Sequence, residues 1–197
     1  MNLTNVPEPL RLEAHLVSAD FFSVLGVPAP IGRTLALGED REEGPAVVVI
    51  SDRLAKALGP AHGVVGRRIT LNASPATVIG VMPRDFHFPS SGTDVWSPLS
   101  MSARNRGSRE GRWLRVIGRL RPGISAREAA AEMDVVASRL AAAWPVPDAG
   151  WEISKDCLAA AAPGSFARYS RDLRRNVRCM VAGATTERCA GGLRTTR

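Results

Sequence analysis

The amino-acid sequence predicts a mixed α+β protein, and three observations carry that prediction. Between Val17 and Pro98, short apolar and β-branched runs alternate with Gly/Pro punctuation, the pattern of short strands joined by tight connections. Inside that stretch, the run AVVVI (46–50) leads directly into a helix-like segment behind Ser51. Further on, an amphipathic helix over 126–144 lies between two strand candidates.

Taken in order, residues 1–16 are polar, contain Pro7 and Pro9, and read as extended, with a short strand over 12–17. Ser18 is the predicted N-cap of a short helix. Phe21, Phe22 and Leu25 share one of its sides as core anchors, and Gly26 ends it. Pro28, Pro30 and Gly32 make the next stretch a turn-rich connector. The run 46–50 has no polar face, so it reads as a buried strand. Ser51 then caps a helix whose apolar face is Leu54, Ala55 and Leu58, stopped by Gly59-Pro60.

Two strands follow over 65–71 and 76–81, with Asn72-Ala73-Ser74-Pro75 as their hairpin turn. Met82-Pro83 ends the second, and Phe86, Phe88 and Pro89 continue as an aromatic extended segment. Residues 100–112 are polar and basic without apolar periodicity, which reads as a mobile loop. A strand over 113–120 and the turn Arg121-Pro122-Gly123 come next. Ser125 and Glu128 have capping-box spacing, in which each side chain satisfies a backbone donor of the other residue. Apolar residues at 126, 129, 130, 133, 136, 137, 140 and 144 predict a helix with one buried face, ended by Pro145 and Pro147. A strand over 151–158 completes this second strand–helix–strand pattern.

From residue 159 the text changes. It becomes arginine-rich, lacks lysine, loses periodicity, and reads as a basic disordered tail over 159–197. The tail explains the overall charge of +7: residues 165–197 hold eight arginines against Asp172 and Glu187. The body is nearly neutral, so the basic balance is no sign of nucleic-acid binding by the body. With 45% hydrophobic and 23% charged residues, the composition is that of an ordinary globular protein. No stretch approaches the ~18 consecutive apolar residues of a membrane helix, and no basic segment followed by an apolar one marks a signal peptide. As written, the chain reads as soluble and untargeted. Cys157, Cys179 and Cys189 are odd in number and clustered late, which argues against a disulfide framework or a zinc site.

A search for convergent chemistry predicts no catalytic, cofactor-binding or metal-ligating residue. His15, His62 and His87 fall in different elements without ligand spacing. Ser18 and Ser51 belong to no nucleophile elbow and read as caps. Gly63 and Gly66 lack the spacing of a phosphate loop, and a strand rather than a helix follows them. Glu39, Asp40, Glu42 and Glu43 read as a solvated loop. The seven arginines of 104–121, opposed by Glu110 alone, have only Trp113 near them as a stacking platform, and read as a solvated loop entering a strand.

Against this background the order of motifs is informative. VSADFFSVLGVPAPIGR, the acidic Glu39-Asp40, VVVIS, VVGRRITLN, TVIGVMPRDFHFP, DVWSPL and RVIGRLRPGISAREAAAEM follow one another along the chain. Together they resemble the MacB-like periplasmic core domain of MacB/FtsX-type ABC transporter permeases over residues 2–158. The resemblance implies an α+β domain in which a strand–helix–strand lobe, holding the unit at 113–158, carries an inserted β-rich lobe over about 32–100. It implies a non-catalytic extracytoplasmic domain at the cell's inner membrane, coupling transporter motion to a substrate or partner protein. Membrane helices of a full-length permease and a separate ATP-binding subunit or domain would be its partners, with no cofactor and no nucleic acid. Such permeases carry apolar helices on both sides of this domain, whereas here an arginine-rich text follows Leu158. A shifted reading frame in a GC-rich gene writes such text, so the sequence reads as a truncated or frame-disrupted permease. The alternative is a stand-alone soluble interaction module whose arginine-rich tail binds an anionic polymer or a membrane surface.

Overall fold

The structure, a computed structural model, describes residues 1–4, 9–60, 63–102, 114–143, 154–159 and 178–183. It is an α+β chain that divides into two compact units. One holds Met1–Ser108 and the other Arg109–Ala161, with later residues shared between them.

In the first unit the strands are β1 (Asn2–Leu3), β2 (Leu10–Arg11), β3 (Glu13–Val17), β4 (Ile31–Gly32), β5 (Val47–Ile50), β6 (Arg68–Leu71), β7 (Ser74–Val81) and β8 (Thr93–Pro98). Two helices, α1 (Phe21–Leu25) and α2 (Asp52–Leu58), interrupt them. The strands form one mixed eight-stranded sheet in the order β2-β1-β6-β7-β5-β8-β3, with β4 added on β7. Strands from before and after residue 32 share it, since β1 pairs with β6 and β3 with β8. Residues 32–100 are therefore not a sheet of their own.

β5 lies between β7, to which it is parallel, and β8, to which it is antiparallel. All four of its residues are buried, which is why its sequence has no polar face. Leu54, Ala55 and Leu58 of α2 pack into the same core as Val48, Ile50, Val78, Val81 and Val95. Burying a side chain of this kind contributes roughly 1.5–3 kcal/mol. As its sequence predicts, α2 is capped by Ser51, whose hydroxyl accepts a hydrogen bond from the Leu54 N–H at 3.1 Å.

The start of α1 differs from expectation. Asp20, not Ser18, is the N-cap, and it makes no side-chain capping bond. The Ser18 hydroxyl instead donates to the Asp20 carboxylate at 2.5 Å. Gly26 ends the helix in the left-handed conformation (φ 71°), as a glycine there can without a Cβ penalty. Phe21 and Phe22 are core anchors. They join Phe86, Phe88 and Trp96 in an aromatic cluster with ring centroids 5.1–6.1 Å apart. The buried Trp96 indole satisfies its N–H by donating to the Phe88 carbonyl at 3.0 Å.

The β6–β7 hairpin is tighter than the four-residue turn expected. Leu71 pairs with Ser74, which leaves Asn72 and Ala73 alone in the turn, at φ 48° and 65°. Pro75 is inside β7, opposite Thr70. It is tolerated there because pairing of β7 with β5 begins only at Thr77, so no ladder bond needs its missing N–H. The predicted connector after Pro28 and Pro30 contains β4, whose two residues pair with Val81 and Gly80.

The second unit holds β9 (Ile117–Arg119), α3 (Ala126–Ala143), β10 (Ser154–Ala159) and β11 (Arg178–Gly183). Its three strands form a parallel sheet in the order β10-β11-β9, so β11 lies between the two strands that flank α3. The capping box is present. Glu128 accepts from the Ser125 N–H and hydroxyl at 2.7 Å each, and the Ser125 oxygen accepts from the Glu128 N–H at 3.2 Å.

Two expectations change in this unit. The apolar face of α3 is not fully buried: Val136 and Leu140 remain 41% and 39% exposed. Ala129, Ala130, Met133 and Ala137 form a half-buried stripe beside them. Periodicity reports that a helix is two-faced, and it cannot report whether anything covers the apolar face. Arg178–Gly183 forms a strand within the stretch expected to be disordered, where Cys179, Met180 and Val181 give a short apolar run. Residues 160–177 and 184–197, the arginines 104–112, Trp113 and Trp151 lie outside the described residues.

Candidate functional site

Two polar nodes in the first unit each hold an ion pair. The first begins with glycine. A Cβ on Gly80 would collide with the Arg33 carbonyl, and one on Gly32 with the Ile79 carbonyl, so the two backbones approach as only glycines allow. The Arg33 N–H donates to the Ile79 carbonyl at 2.9 Å and fixes the start of the loop after β4.

From that position the Arg33 guanidinium reaches Glu39 with both nitrogens, at 2.6 and 2.9 Å. Glu39 also accepts from the Ala36 N–H at 2.7 Å. The bond from Arg33 holds the Glu39 carboxyl below its ordinary range against the opposing effect of burial, with the Ala36 N–H adding to it. The same bond raises the Arg33 pKa. Next to it, the Asp40 carboxylate accepts from the Ala19 N–H at 2.9 Å. Two members of the acidic run expected to be solvated are thus fastened to the fold. The loop they fasten carries Leu37 at its tip, 94% exposed.

The second node centres on Asp94, 4% exposed. Its carboxylate accepts from Arg53 Nη2 at 2.7 Å, from the Glu13 N–H at 3.3 Å and from the Ser51 hydroxyl at 3.4 Å. Arg53 also donates to the Gly92 carbonyl at 3.2 Å. One buried carboxylate therefore ties β3, β8 and the start of α2 together, and several donors offset its desolvation. At the margin of this node Glu13 contacts the Ser90 hydroxyl and receives His15 Nε2 at 3.2 Å.

These arrangements hold loops to a sheet. Among the described residues, no three His, Cys, Asp or Glu side chains are grouped to hold a metal ion. His15 lies on β3 and His87 between Phe86 and Phe88, and the structure does not bring them together. His62 lies outside the described residues. Gly63 and Gly66 precede β6, a strand, as read from the sequence. Arg115, Arg119 and Arg121 are exposed. A groove of about 350 Å³ in the first unit is lined by Arg41, Pro45, Val47, Leu71, Pro75 and Pro98. Among the described residues, no helix is long and apolar enough to cross a membrane.

Sequence reasoning missed both nodes. Glu39 and Arg33 are close in sequence, but their pairing depends on the β4–β7 crossing. Asp94 and Arg53 are brought together by the sheet. The one local signal was Ser51, whose capping role places it beside Asp94.

Comparison with known proteins gives the fold its family. The family model for the MacB-like periplasmic core domain matches residues 4–136. A curated relative, the macrolide export ATP-binding/permease protein MacB of Hahella chejuensis, is 30% identical over 129 residues, which are 64% of this chain. The chain spans only 19% of that relative's length. Among solved structures, the periplasmic region of MacB from Actinobacillus actinomycetemcomitans is 22% identical with a TM-score of 0.42, covering 50% of this chain and 44% of its own. The extracellular domain of the ABC-type transporter YknZ from Gram-positive bacteria is 19% identical with a TM-score of 0.43, covering 55% and 54%. With the family model matched over most of its length, this chain belongs to the MacB-like periplasmic core domain family.

Proposed function

We propose that this chain is the extracytoplasmic, non-catalytic domain of an ABC transporter permease at the inner membrane, coupling the transporter's motion to a substrate or partner protein. The observation that carries this reading is the family match over residues 4–136. The curated relative supports the setting, since it is an ATP-binding/permease protein. In this reading residues 1–158 form the domain. The unit with β9, α3 and β10 is its strand–helix–strand lobe, and the sheet built around β5–β8 is its β-rich lobe. Membrane helices of the full-length permease carry it, and a separate ATP-binding subunit or domain supplies the energy.

A coupling domain must transmit displacement without deforming, and the first unit is suited to that. Its central strands are buried, and its loops are held by the Arg33–Glu39 and Arg53–Asp94 pairs. The test is a distance measurement in the intact permease assembled with its ATP-binding component. Spin labels would be placed at Leu37→Cys and Val136→Cys, exposed sites on the two units, after replacement of the native cysteines. The expected result is a nucleotide-dependent change in the distance distribution between the two labels. Distributions that ignore nucleotide would overturn the coupling role.

A further inference from the structure

We draw no further inference here: the strongest candidate, the apolar face that Val136 and Leu140 leave exposed on α3, is an unpartnered helix surface, and nothing in the structure shows what covers it.

Discussion

Glu39 shows how a single side chain fixes a loop. It closes a two-pronged pair with Arg33 and caps the Ala36 N–H, so three donors converge on one carboxylate. The Arg33 side chain is 52% exposed, which limits the pair to about 1 kcal/mol, the upper end for a partly solvated ion pair. Because the Glu39 pKa is lowered by folding, the contribution is fully present above the ordinary value of 4.5 and is lost as pH falls through the lowered folded value. Glu39→Gln should therefore lower the melting temperature at neutral pH, and the gap to wild type should close in acid. Melting curves from pH 7 down to the acid limit of folding check this, and a gap independent of pH would refute the assignment. The pair was illegible in the sequence for a physical reason. An acidic run reads as solvated, and only the Gly32–Gly80 approach brings Arg33 to it. Ser51 was legible because capping is a local interaction, complete within one turn.

Two elements show where local reading succeeds and where it stops. The β6–β7 hairpin was visible from its flanking strands, but Ser74 and Pro75 drew the turn too wide. The structure puts Ala73 at φ 65°, a conformation that is unfavourable for a residue with a Cβ. Ala73→Gly should stabilise the protein by about 0.5–1 kcal/mol, since glycine suits both the left-handed backbone and this two-residue turn. A higher urea midpoint with an unchanged slope would show it. No shift, or a lower midpoint, would mean the turn has another geometry. In α3, the Ser125–Glu128 box was readable to the atom, whereas burial of the apolar face was not. On periodicity alone, Leu140→Asp should cost several kcal/mol. With Leu140 39% exposed, the effect expected from the structure is within about 1 kcal/mol, the range of surface changes. A larger loss of stability would mean that the face is covered after all. β4 was missed altogether, because a two-residue strand directly after Pro28 and Pro30 has no period to detect.

For the whole molecule, the α+β class was legible because strand runs, two helix caps and Gly/Pro punctuation all point the same way. How the strands assemble was not. One sheet joins β1 and β3 to β5–β8, and long-range pairing of that kind leaves no local trace in the sequence. The motif order nonetheless reached the right family, because sequence order survives where pairing cannot be read. The proposed function rests on that membership and not on any reactive group.

The proposed function is above all a matter of place. In the proposed function the domain works outside the cytoplasm, attached to a transporter in the inner membrane. The most direct measurement uses an antibody against residues 9–60, applied to the source cells after removal of the outer envelope with the inner membrane intact. The account predicts that the epitope sediments with membranes and is destroyed by protease added from outside. An epitope that stays protected until the inner membrane is broken would place the chain in the cytoplasm and contradict the account.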